Sequence, residues 1–168
     1  IHISESKMHG GSVRIWSTNK VPSAPEITNI LDEYKQREAL LDLSKFNSEV
    51  KKYIQDAKKY INNLSGKTVF FGAAAKGGVF LNALDISTKS MPESYIIDDT
   101  PEKQGLYLPG TGFKIFNREK VINDEVENII ILAHNFKEHI AKSLRIDKQG
   151  KKFFRNNIIS MLPDIEIH

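Results

Sequence analysis

The chain has 168 residues, 40% of them hydrophobic and 27% charged, with 24 Lys+Arg against 21 Asp+Glu for a net charge of +3. This composition fits a globular chain of one-domain size, and it excludes a strongly basic nucleic-acid binder and a membrane span; residues 1–20 lack a basic segment followed by an apolar stretch, so no secretory signal is expected in them. Zero cysteines exclude disulfides and thiolate metal sites, so a reducing, cytoplasmic compartment is expected, and from the start at Ile1 the sequence is expected to be a piece of a longer protein.

The first element, residues 12–17 (SVRIWS), alternates apolar and polar residues as a short strand does. A loop with two prolines, TNKVPSAPE, follows. From Glu26 to about Asp42, Ile27, Ile30, Leu31, Tyr34, Leu40 and Leu41 recur at helical spacing. Ser44 is the expected N-cap of a second helix, whose apolar stripe is Phe46, Val50, Tyr53, Ile54, Ala57, Ile61 and Leu64 and whose end is expected at Gly66.

Beyond Gly66 the rhythm changes. TVFFG, SYIIDD, FKIF and NIIILA are short apolar runs that read as strands. AKGGVFLNALD and NFKEHIAKSLRID read as helices, Arg118–Val121 as a helical turn, and KKFF and NIISML as closing strands. Apolar strands alternating with helices indicate a parallel sheet covered on both faces. The fold expected is α/β, a Rossmann-like parallel sheet over 67–168. A strand and a helical segment over 1–66 precede it and pack on it within one compact domain.

Two stretches could carry chemistry. The turn GAAAKGG (72–78) links the first apolar strand to a helix, where glycines permit close approach and the helix start offers N–H groups and a positive dipole end. With Lys76 it suits a pyrophosphate, and it reads equally as a tight turn bearing an exposed lysine. It is neither GxGxxG nor GxxxxGK[ST], which argues against a Mg-nucleotide hydrolase. Of the pair Asp98-Asp99 ending the second strand, Asp98 is placed to meet ribose hydroxyls, and the plainer reading is that one of the two caps the loop, for which Asp99 before Thr100-Pro101 is suited. The long loop TPEKQGLYLPGTG brings Lys103, Gln104 and Tyr107, and Asn135 closes the strand NIIILA on the same sheet edge as the glycine turn. The second stretch, MHGGSVR (8–14), sets His9 and Gly10 before a strand. A histidine there suits proton transfer or is simply exposed. The histidines show no metal spacing, and no metal is expected.

HGGSVRIW, FGAAAKGGVFLN, DDTPEKQGLYLPGTGFKIF and AHNFKEHI stand in this order from about His9 to Ile159. In them the chain resembles the C-terminal domain of S-adenosylmethionine-dependent nucleotide-sugar C-methyltransferases. The resemblance implies the substrate-binding part of an enzyme that methylates a nucleotide-linked keto-deoxysugar. It places S-adenosylmethionine on a methyl-donor domain outside this chain, so the fragment alone is expected to hold no cofactor and to be inactive. It makes His9 a possible general base and puts Gly10, Gly72, Lys76, Gly77, Asp98, Lys103, Gln104 and Asn135 around the nucleotide sugar. The partners implied are that substrate and the donor domain, with no nucleic acid and no membrane. The alternatives are a non-catalytic nucleotide-binding or regulatory module of the same fold, or a fragment of an NAD-linked oxidoreductase.

Overall fold

The computed structural model describes residues 2–6, 11–19, 25–146, 150 and 152–168. His9 and Gly10 lie outside the described residues. The chain divides into two compact units, Ile1–Val50 and Lys51–His168.

In the first unit, β1 (His2–Ser6) pairs antiparallel with β2 (Ser12–Trp16), Ile3 opposite Ile15. β2 is the strand expected over 12–17. β1 escaped the sequence pattern because HISES holds a single aliphatic residue. Helix α1 (Pro25–Ala39) follows, and its Arg37 and Tyr34 reach Glu5 of β1 at 2.6 and 3.2 Å. Helix α2 (Leu43–Asn62) then starts one cap earlier than expected. Asp42, not Ser44, is the N-cap: its carboxylate accepts the Lys45 N–H at 2.9 Å, which satisfies one of the donors that a helix start leaves open.

The second unit begins within α2. That helix ends at Asn62, and Gly66, at φ +76°, makes the turn into the sheet instead of closing the helix. The sheet contains β3 (Lys67–Phe71), β4 (Ile96–Ile97), β5 (Ile115–Phe116), β6 (Val126–Ile131), β7 (Asn157–Ser160) and β8 (Glu166–Ile167). The strand order is β5-β4-β3-β6-β7-β8, parallel except for the antiparallel edge strand β8. This is the Rossmann-like α/β arrangement. β8, two residues long, gave no pattern to read. Of KKFF, the described residues 152–154 form no strand beyond an isolated bridge from Lys152 to Ile146. The Phe153 and Phe154 N–H groups instead bond the carbonyls of Arg145 and Leu144, which the end of a helix leaves without partners.

Successive strand residues serve opposite faces. Phe70, Ile96, Ile130 and Ile159 join Ala57 and Ile61 of α2, Phe80 and Leu81 of α3 (Ala75–Ala83) and its C-cap residue Leu84 in one core. Val69, Phe71, Ile97, Ile129 and Ile131 meet Ile140, Ala141 and Leu144 of α4 (Lys137–Arg145) in the other. Ile97, Ile129, Ile130 and Ile131 are fully buried, so each contributes about 1.5–3 kcal/mol of apolar burial. Among the described residues, no helix is long and apolar enough to cross a membrane.

Candidate functional site

From β3 the chain winds outward in both directions, to β4 and β5 on one side and to β6 and β7 on the other. The crevice at such a reversal, beyond the carboxyl ends of the strands, is where open α/β sheets bind ligands. The β3–α3 turn and the β6–α4 turn flank it here. Gly72 still belongs to the sheet, its N–H bonding the Ile97 carbonyl at 2.8 Å. Its φ of +102° then turns the chain, and a Cβ there would stand 3.2 Å from that of Ala133. Both facts favour glycine. Gly77, on the first turn of α3, is buried against β6: a Cβ would come within 2.7 Å of the Leu132 Cβ. It sets how closely α3 approaches the sheet.

Asp98 braces the turn. One carboxylate oxygen accepts the Ala73 N–H at 2.7 Å and faces Lys103 Nζ at 3.3 Å, and the other accepts the Thr100 N–H at 2.9 Å. The side chain of Gln104 donates to the Asp98 carbonyl at 3.0 Å. Burial alone would raise the Asp98 pKa, but the bonds from Thr100, Ala73 and Lys103 outweigh it and hold the carboxyl below its ordinary value. Four of the expected residues, Gly72, Asp98, Lys103 and Gln104, are thus brought into one assembly. Lys76 and Asn135 are exposed on the α3 and β6–α4 sides of the crevice. Ala74, at the N-cap of α3, offers no side-chain bond. The first-turn N–H groups are therefore not capped by a side chain.

Three features were not legible in the sequence. His134, just beyond β6, has both ring nitrogens buried without a partner among the described residues. Burial first, then Lys76 and Lys137, holds its pKa below that of an ordinary histidine, and it stays neutral at pH 7. Asp99, next to Asp98, takes Arg118 in a two-pronged pair, Nε to Oδ1 at 2.7 Å and NH2 to Oδ2. The Arg118 guanidinium also lies 5.6 and 5.8 Å from the ring centres of Phe71 and Phe153. Beside it opens a cleft of about 930 Å³ between α4 and the 3-10 helix Arg118–Asn123, with Gln104, Asn117, His139 and Phe71 on its walls. It exists because the connection from β5 to β6 is this short turn, where a doubly wound sheet ordinarily places a full helix. Elsewhere Glu138, Glu166 and His168 gather their ligand atoms within 4.8 Å of one another, with Lys137 already on Glu166 at 2.6 Å.

Residues 7–156 match the model of the C-methyltransferase C-terminal domain family. The chain belongs to that family. As a C-methyltransferase C-terminal domain it contains the whole assembly around Gly72 and Asp98 within the matched range, together with His9 and Gly10. Comparison with curated proteins finds no match.

Proposed function

We propose that this C-methyltransferase C-terminal domain binds the nucleotide-sugar substrate of an S-adenosylmethionine-dependent enzyme, with the diphosphate at the Gly72 turn. The observation that carries the reading is the N-terminus of α3, without a side-chain cap, at the reversal point of the sheet, entered through a glycine at φ +102° and bearing Lys76 on its first turn. N–H groups, helix dipole and ammonium all favour an anion there. Asp98 fixes the turn from behind, and Lys103, Gln104 and Asn135 line the approach.

S-adenosylmethionine supplies an electrophilic methyl group when bound. Asp98, where an adenosine site would present its ribose acceptor, has both carboxylate oxygens occupied by this chain's own donors. Asp98 is thus engaged in bracing the turn, and on this reading the donor falls to a part of the enzyme outside this chain. On this reading His9 takes the proton from the sugar carbon beside a keto group, and that carbon becomes the nucleophile. The charge that develops on the keto oxygen needs nearby donors. His9 rests on the family motif alone.

Calorimetry with dTDP-glucose, UDP-glucose and NAD tests the reading. A sugar nucleotide is expected to bind, and Lys76→Ala is expected to weaken it by roughly 1–3 kcal/mol, the value of a charged hydrogen bond, with stability unchanged. Binding of NAD alone, or a Lys76→Ala variant of full affinity, would overturn it.

A further inference from the structure

His134 is a half-buried titratable group whose ring nitrogens have no task in the site. Buried polar atoms are nearly always paired, yet both nitrogens of this ring are closed off from solvent and unpartnered among the described residues. The ring stands edge-on to Phe80 with centroids 5.6 Å apart. Phe80 follows Lys76 by four residues on α3, so the two share a face of that helix, and the imidazole lies on the Lys76 side of α3. The charges acting on it are both positive, Lys76 from α3 and Lys137 from the start of α4. The turn Gly72–Ala74 adds no charge. Tyr53 of α2 reaches Phe80 from the other side, and its hydroxyl, pushed up to about 12 by burial and then by Asp164, stays neutral.

The imidazole is held neutral by burial, then by Lys76 and by Lys137, the latter already paired with Glu166 at 2.6 Å, and an anion at the α3 N-terminus would add a negative charge on the Lys76 side. We propose that His134 is the proton-linked member of the anion site: when a diphosphate occupies the Gly72 turn, its negative charge favours the imidazolium, and the ring is uncovered so that it takes a proton from water and donates toward the ligand from a nitrogen that is otherwise closed off and unpaired. This rests on the turn being the diphosphate site. His134 is then a positioning residue that ties substrate affinity to pH near neutrality, separate from any general base. The sign follows from linkage: a group that gains a proton on binding makes binding tighter as pH falls.

The probe is dTDP-glucose, whose diphosphate diester keeps its two negative charges between about pH 5 and 8, the range in which histidine titrates. Calorimetry across that range is expected to show affinity rising as pH falls, roughly tenfold for each unit by which occupancy raises the His134 pKa. Binding heats that change with the buffer's ionisation enthalpy would count the proton taken up. His134→Gln is expected to bind at the high-pH affinity with the slope removed. Ring-nitrogen NMR of the unaltered chain needs no variant and is expected to show His134 titrating at higher pH with ligand than without. Binding that responds to Lys76→Ala but leaves the His134 titration unmoved overturns this inference and leaves the diphosphate reading standing. No dTDP-glucose binding at any pH overturns both.

Discussion

At the N-terminal edge of the sheet, Asp124 meets Lys67 at 2.9 Å and Lys120 at 3.4 Å, and both ammonium groups lie over the Tyr95 ring at 5.7 and 5.2 Å. At the C-terminal edge, Asp98 meets Lys103 at 3.3 Å, while Lys76 stays exposed and the His134 ring nitrogens have no hydrogen-bond partner among the described residues. The ingredients are alike: a carboxylate, lysines and rings. Below, one carboxylate is shared by two lysines that also lie over one ring, so every charged group is engaged. Above, the acid is spent on backbone N–H groups that hold a turn, and a cationic side chain and an imidazole are left over. The lysine left exposed belongs to the edge where the fold would receive an anion, whereas both lysines at the opposite edge are tied to Asp124 and Tyr95.

Substitutions can break that contrast. Gly77→Val should have the largest effect, about 3 kcal/mol of stability lost in a urea melt, because the added atoms must enter space already filled by Leu132. A variant as stable as the parent would show that α3 can move off the sheet freely. Asp98→Ala should come next, at about 2–3 kcal/mol, since the Ala73 and Thr100 N–H groups lose a buried charged acceptor. It should also weaken dTDP-glucose binding by disordering the turn, and a stability loss with unchanged affinity would separate the brace from the site. Asp124→Ala should cost about 1 kcal/mol, as a partly exposed ion pair does, and leave ligand affinity untouched. If it altered affinity, the two edges would be coupled through the sheet.

Acid sharpens the same comparison by a smaller margin. Both carboxyls have folded pKa values below the ordinary 3.8. Burial would raise Asp124, but Lys67, Tyr95 and Lys120 outweigh it. A depressed folded pKa contributes stability that is fully present above the unfolded value and is lost as pH falls through the folded one. Stability should therefore fall below about pH 3.8, and more gently in Asp98→Asn than in the parent. Equal slopes would show that Asp98 holds no tighter than a solvated carboxylate.

Much of the fold was legible because burial on both faces wrote itself into TVFFG and NIIILA as unbroken apolar runs, and because α2 and α4 keep a helical apolar stripe. What escaped lacked such a record. β1 has one aliphatic residue, β8 has two residues, and the cap at Asp42 was hidden by a serine two positions later. In the site, the glycine turn and Asp98 were visible because backbone geometry restricts the residue type. That Asp98 accepts bonds from Ala73, and that Arg118 reaches Asp99 and lies near two rings, depends on contacts across 25 and 19 residues, which no local pattern reports. His134 was passed over because the histidines were judged by metal spacing. What distinguishes it is the burial of its nitrogens.

The segment Thr100–Lys114 reads in sequence as a loose, glycine-rich excursion, but it is folded back on itself. Gly105 and Ile115 bond through the carbonyls of Ile115 and Leu106, Leu108 bonds Phe113 at 2.9 Å, and Phe113 is fully buried. Lys103 and Gln104 fasten its stem to Asp98. A wall ordered in this way has surrendered its conformational entropy before any ligand arrives, so a molecule that meets it loses only its own freedom and that of a few exposed side chains. Selectivity at this edge would then come from fit to a fixed shape, and association would not wait for a loop to close.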